Sequence, residues 1–270
     1  MHRIVSGNKI FKLYYFLQKA TGFPYIGVVS FGGAHSNHLV ALAYACKQAG
    51  LLSAGVVRGE KPALLSHTLN DCISYGMKLK FIPREDYNKK EDSNFLASLQ
   101  REFIHHLIVP EGGYSPLGAR GAALISNYID KDVTHICCPL GTATTVSGLL
   151  LSAKKNQQVI GVPVLKGLND IKQRVAFLTD GSIPFTQLHL FDDYHFGGYA
   201  KKTPDLLKFM NTFFQQYSIE TDFVYTAKMM YAVMDKIAAG YFAKGSKIAC
   251  IHTGGLQGNL SLPEGSLIFK

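Results

Sequence analysis

Four short stretches hold residues whose types and spacing suit chemistry. In "SGNKIFKL" (6–13), Lys9 follows Ser-Gly-Asn at the mouth of a helix-like run. A solvated lysine in a first turn is slightly unfavourable, because the helix dipole puts partial positive charge there. A shielded amine at that place is instead a nucleophile toward carbonyl carbon. In "GTATTVSGLL" (141–150), Gly141, Thr142, Ala143, Thr144 and Thr145 lead from an apolar run into helical periodicity. Backbone N–H groups and hydroxyls converge there at a helix N-terminus and make a cup for an anion. The cup has neither the GKS/GKT of a Walker loop nor GxGxxG, so a single phosphate is its natural guest; without a ligand it is a Thr-rich cap. "GGAHSNH" (32–38) puts Ser36 and Asn37 at a helix start, where they hold a carboxylate or simply cap the helix. His35 and His38 match no metal-ligand spacing, so no metal is expected. "HTGGLQGN" (252–259) is a fourth loop of this kind. A shielded lysine with a phosphate cup elsewhere in the chain suits an aldehyde cofactor, pyridoxal 5'-phosphate, held at both ends.

These loops need a frame. Apolar, β-branched runs at 25–31, 53–58, 78–83, 105–110, 134–139, 158–164 and 247–252 predict strands. Helical periodicity occupies 36–49, 63–75, 116–129, 142–155 and 226–240. "REDYNKKEDSN" (84–94) reads as an exposed loop or helix start. This βαβ rhythm, with runs apolar on both faces, predicts an α/β fold of parallel sheets with helices on both sides. Ligands in such sheets lie beyond the C-terminal strand ends, and three of the four stretches follow strands.

Composition narrows the classes. With 270 residues, 47% of them hydrophobic, the chain can bury one large core or two modest ones. No run reaches the roughly 18 apolar residues of a membrane span and no signal peptide is evident, so a cytoplasmic protein is expected. Five cysteines (Cys46, Cys72, Cys137, Cys138, Cys250) without CxxC spacing point to reduced core residues. A net charge of +9 on scattered lysines, without base-stacking or groove-reading elements, argues against nucleic acid, though a basic field favours small anions.

The whole chain resembles the 1-aminocyclopropane-1-carboxylate deaminase / D-cysteine desulfhydrase family of fold-type-II pyridoxal-phosphate enzymes, which are tryptophan synthase beta-like. The family's GGNKxRKLE is similar to "SGNKIFKLYY", QSNH to "HSNH", EGGxxxLGxxG to "EGGYSPLGARG" and GxAGTxAGL to "GTATTVSGL". Its GYG, DPVYTGKAM and HTGG elements resemble "GGYA" (197–200), "DFVYTAKMM" (222–230) and "HTGG" (252–255). The resemblance implies two domains with cofactor between them: a large one of 1–22 plus 127–270, and a smaller one, 23–126, inserted. It implies that Lys9 forms the Schiff base and Asn37 bonds the cofactor's ring hydroxyl. Gly141, Thr142, Ala143, Thr144 and Thr145 surround the phosphate. Ser36, Asn37 and His38 are placed at the substrate, and Tyr199 and Tyr225 act as its phenols. Members that open a cyclopropane ring carry glutamate directly after the second tyrosine and no threonine in the last glycine motif. Thr226 and Thr253 here match the desulfhydrase-like pattern, which puts a hydroxyl at the pyridine nitrogen and favours β-elimination.

The chain departs from the family pattern at His35, at Val40-Ala41 and at Thr144, on the substrate side and in the phosphate loop. Eight residues precede Lys9 where the family has a longer lead with a KRDD-like stretch, so the expected fold is N-terminally short. Three functions follow: a lyase giving 2-oxo acid and ammonia from a small amino acid, a cyclopropane-amino-acid deaminase, or a truncated paralogue without turnover. A homodimer is implied.

Overall fold

The computed structural model describes residues 5–183 and 185–270. Strands β1 (Gly27–Gly32), β2 (Leu52–Arg58), β3 (Met77–Ile82) and β4 (His106–Val109) form one parallel sheet in the order β3-β2-β1-β4. Strands β5 (His135–Leu140), β6 (Gln158–Pro163), β7 (Leu188–Leu190) and β8 (Ile248–Cys250) form a second, in the order β7-β6-β5-β8. Every apolar run identified in the sequence is a strand. Strand β7 was not expected: three half-buried residues are too few to show a period, and pairing with β6 defines them.

Alternate residues of each strand face opposite layers, as pleating requires. Val28 joins a core with Leu13 and Phe16 of α1 (Lys9–Ala20) and Leu39 and Leu42 of α2 (Asn37–Gln48). Its neighbours Val29 and Phe31 pack beneath Leu99 and Phe103, the former on α5 (Ser93–Glu102). In the second sheet Ile136 and Cys138 face Leu149 on α7 (Thr144–Ser152), whereas Cys137 faces Met229 and Val233 on α10 (Thr226–Ala238). Both sheets are thus covered on both sides, which is why their inner strands read as continuous apolar runs, while the edge strand β3 carries Lys78 and Lys80.

Local chemistry sets the helix limits. The periodicity at 63–75 yields a helix only from His67, because Ser66 caps it by accepting from Leu69 N–H. The polar stretch 84–94 holds one turn at Arg84–Tyr87, then Asp92, which caps α5 through Asn94 and Phe95 N–H. The run at 116–129 is helical at Pro116–Ala123 and tightens into a 3-10 turn at Leu124–Tyr128. Glycine lets this Pro116–Ala123 helix approach α1: a Cβ on Gly121 would stand 2.2 Å from the Phe11 carbonyl oxygen. Helix α1 meets both cores, giving Leu13 and Phe16 to the first and Phe11 to the second. Among the described residues no helix is long and apolar enough to cross a membrane.

Candidate active site

In the first sheet β1 lies between β2 and β4, and in the second β5 lies between β6 and β8. Each central strand is therefore a switch point, where the loops from neighbouring strand ends part and leave a crevice. A cavity of about 550 Å³ opens there, lined by the loops after β1 (Gly33–Asn37), β4 (Glu111, Gly112), β5 (Gly141–Thr145) and β8 (Thr253). Lys9, His38, Tyr199 and Tyr225 also line it.

Lys9 opens α1, and the residue before it does not cap that helix. Asn8 instead accepts from Lys9 Nζ on its Oδ1 (2.7 Å) and donates from Nδ2 to Thr145 Oγ1 (2.5 Å). One amide thereby ties the lysine to the anion cup. Burial lowers the Lys9 amine to about 8, against the raising influence of Asp222 and Cys138. Gly7 at φ +75 is needed because a Cβ there would fall 2.0 Å from the Thr253 carbonyl oxygen. Asn8 N–H donates to that oxygen (3.3 Å), and Gly255 N–H donates to Ser6 Oγ (3.3 Å). The last glycine loop is laced to the lysine loop in this way.

Asn37 joins the same loop from the other sheet, its Nδ2 donating to the Gly255 carbonyl (3.0 Å). Its Oδ1 is buried without a partner among the described residues. Ser36 Oγ accepts from Leu39 N–H (3.2 Å) as the cap of α2 and retains its own O–H for donation. Behind it, Ser30 donates to the Val109 carbonyl (2.7 Å), so His38 Nε2 must carry the proton it gives to Ser30 Oγ (2.8 Å). His38 Nδ1 is then a bare acceptor, buried and without a partner among the described residues. Burial, with Lys12 and Lys9 nearby, holds His38 down to about 3 and therefore neutral.

In the cup, Ala143 takes the left-handed conformation (φ 67) as α7 begins. Thr142 and Thr144 hydroxyls lie 3.0 Å apart. The loop carries no cation of its own, yet Lys12, one turn along α1 from Lys9, reaches the cavity and is brought down to about 7 by burial and by Lys9.

Tyr225 stands beside Gly141 and 5.8 Å, ring centroid to Nζ, from Lys9. Its hydroxyl is 3.4 Å from that of Tyr199, which is 50% exposed. Burial and Tyr199 raise the Tyr225 phenol well above its ordinary value. Asp222 fixes this corner by accepting from the N–H groups of Val224 (3.0 Å), Tyr225 (3.0 Å) and Thr226 (2.9 Å). Thr226 lies outside the cavity lining, its hydroxyl donating to Asp222 Oδ1 (2.8 Å). Thr253 does line the cavity.

Several residues were not foreseen. Lys12 was signalled only by its three-residue spacing from Lys9, which places both on one helix face. Asp222 sits four before Thr226 in a capping-like pattern. Lys228, fully buried, donates to the carbonyls of His195 (2.8 Å) and Gly198 (2.7 Å) and so holds the loop that carries Tyr199. Nothing in the local sequence marks Arg58 or Arg84, which also line the cavity, whereas Glu111, another lining residue, opens the "EGGYSPLGARG" element.

The groups present fit pyridoxal phosphate: an amine near neutrality, a threonine-rich cup with a buried lysine beside it, and an orphaned amide oxygen on a residue that lines the same cavity. Fold and site together define an enzyme of the fold-type-II pyridoxal-phosphate class. Residues 2–254 match the model of the pyridoxal-phosphate dependent enzymes, and the chain belongs to that family. A Pyrococcus abyssi relative, itself only provisionally assigned as a 1-aminocyclopropane-1-carboxylate deaminase, is 28% identical over 94% of this chain and 81% of its own. A bifunctional D-cysteine desulfhydrase/1-aminocyclopropane-1-carboxylate deaminase of Arabidopsis thaliana is 26% identical over 94% of this chain and 70% of its own. A solved deaminase homologue superposes with a TM-score of 0.78 at 27% identity, over 94% of this chain and 81% of that one.

Proposed function

We propose that this enzyme removes a β-substituent from a small amino acid, in the manner of a D-cysteine desulfhydrase, releasing 2-oxo acid and ammonia. The observation that carries this reading is Thr253 in the loop after β8: the last glycine loop sets a threonine in the cavity lining rather than a carboxylate. A hydroxyl beside the pyridine nitrogen leaves it near neutral, which suits a reaction whose departing group takes the electron pair.

Lys9 holds the cofactor covalently. The Gly141–Thr145 loop with Lys12 holds its phosphate, and Asn37 meets its ring hydroxyl. When bound, pyridoxal phosphate withdraws electrons from the Cα of an attached amino acid and weakens its bond to hydrogen. Ser36 and the N–H groups opening α2 hold the substrate carboxylate, and the bare His38 Nδ1 accepts from its amine. Lys9, lowered to about 8, takes the proton from Cα. Tyr225, whose raised pKa keeps its hydrogen in place near neutrality, donates to the departing group with Tyr199 at its side. The domain division 1–22 plus 127–270 and 23–126 brings Ser36 and Asn37 from one body and the phosphate cup from the other, so that closure excludes water. The resemblance and the composition further support a cytoplasmic homodimer.

Side by side, D-cysteine or β-chloro-D-alanine is expected to yield pyruvate faster than 1-aminocyclopropane-1-carboxylate yields 2-oxobutyrate. The reverse order overturns the desulfhydrase-like reading in favour of the deaminase. Full cofactor uptake with no release of 2-oxo acid from any amino acid supports the paralogue without turnover.

A further inference from the structure

Beyond Lys9 and Lys12 the cavity carries further cations. Arg58, Arg84 and Arg174 line it, and Glu111 is the sole carboxylate among the described lining residues. Two of these four charges are already answered. Arg174 pairs with Asp170 (2.8 Å), and Glu111 lies 3.5 Å from Lys90. Among the described residues no ion pair includes Arg58 or Arg84.

Arg58 is exposed, yet two neighbours limit where its guanidinium can go. It ends β2, and its guanidinium carbon stands 5.8 Å from the ring centroid of the buried Tyr87. One Nη lies 3.6 Å from where a Cβ would project from Gly33, on the same loop that ends in Ser36 and Asn37. A ring beneath and a loop beside it pre-orient the fork, so less rotamer entropy is lost when an anion binds. Arg84 follows β3, the strand beside β2. Glu111 and Tyr199, both in the cavity lining, stand near Tyr87 as well, which puts the arginine on the phenol side of the cavity.

Two unpaired guanidinium groups match a dianion, and guanidinium meets phosphate in a fork-to-oxygen geometry. Resting on the β-elimination reading above, we propose that the amino acid taken here carries a phosphate on its β-carbon, gripped by Arg58 with Arg84 beside it. Its reaction balances without a further reagent. The Cα hydrogen leaves as a proton to Lys9, the Cβ–O bond breaks with its electron pair going to the departing phosphate, and water completes the release of pyruvate and ammonia.

The test is calorimetric titration of the cofactor-loaded protein with both enantiomers of O-phosphoserine, serine and cysteate. With cofactor bound, the phosphate cup is filled, so added phosphate reports on the arginine end. For one enantiomer, O-phosphoserine should bind at least about tenfold more tightly than serine, equivalent to about 1.4 kcal/mol, with the singly charged sulfonate of cysteate between them. Arg58→Met should bring the phosphoserine-to-serine ratio to within about twofold, while Arg58→Lys, which keeps charge but loses the fork, retains an intermediate ratio. If Arg58→Met does not fold, Arg84→Met carries the comparison and should lower the ratio in part. Equal affinity for serine and phosphoserine, or a ratio that neither the Arg58 nor the Arg84 variant changes, overturns the substrate class alone. Failure to take up cofactor overturns the function and this inference together.

Discussion

Asn8 gives its side chain to Lys9 and Thr145, and Lys12 supplies the charge that the threonine loop lacks. Both assignments bear on how phosphate is held. Without a ligand, Lys12 loses its proton at about 7, mainly through burial. A phosphate dianion beside it favours the charged form, so above pH 7 binding must draw a proton from solution. Affinity then falls as pH rises, by at most about tenfold per unit. With 4-deoxypyridoxine 5'-phosphate, which lacks the aldehyde and so leaves Lys9 chemistry aside, fluorescence titration between pH 7 and 9 should show this decline. Lys12→Met should bind more weakly at pH 7 and with a flat profile. A wild-type profile as flat as that of the variant would remove Lys12 from the phosphate site.

At the scale of elements, the start of α10 rests on one buried carboxylate. Asp222 accepts three backbone N–H groups and the Thr226 hydroxyl, and these bonds order the corner while offsetting only part of the upward pull of burial on its pKa. Asp222→Asn turns one acceptor into a donor facing N–H groups. It should cost about 2–3 kcal/mol, on the scale of one or two hydrogen bonds to a charged group. Urea unfolding of the unliganded protein measures this, and a loss below about 0.5 kcal/mol, the size of an ordinary surface change, would deny Asp222 that role. The corner also shows what the sequence could and could not disclose. Strands β1, β2, β4 to β6 and β8 were legible as mainly apolar runs and β3 by its alternation of lysine with apolar residues, and the glycine- and threonine-rich loops because helix caps rarely need so many small polar residues. The bond from the Thr226 hydroxyl to its neighbour Asp222 is a local contact that composition does not express. Lys12, Arg58 and Lys228 were hidden for a different reason: their roles depend on which loops meet when two sheets close on one cavity.

The whole molecule buries amines to an unusual degree. Lys9, Lys12 and Lys228 fall to about 8, 7 and 8, in each case mainly by burial. In the unfolded chain all three hold their protons to about 10.5. Between those limits the unfolded state binds more protons than the folded one, so stability rises with pH. The unliganded protein should accordingly melt at a higher temperature at pH 8 than at pH 7, a window below the ordinary range of thiols, phenols and lysines in the unfolded chain. Lys228→Met should flatten part of that slope in the same scans. A melting temperature that falls across this interval would contradict the burial of these amines.

The lacing of Gly7 and Asn8 to Thr253 also has a consequence in time. At about 5–20 residues per second, a ribosome needs roughly ten to fifty seconds to travel from the codon for Lys9 to that for Thr253. Throughout that interval the reactive amine has left the ribosome, or is leaving it, while the loop that must close over it does not exist. The cofactor pocket is therefore among the last features of the newborn chain to be completed, and vitamin capture follows synthesis rather than accompanying it.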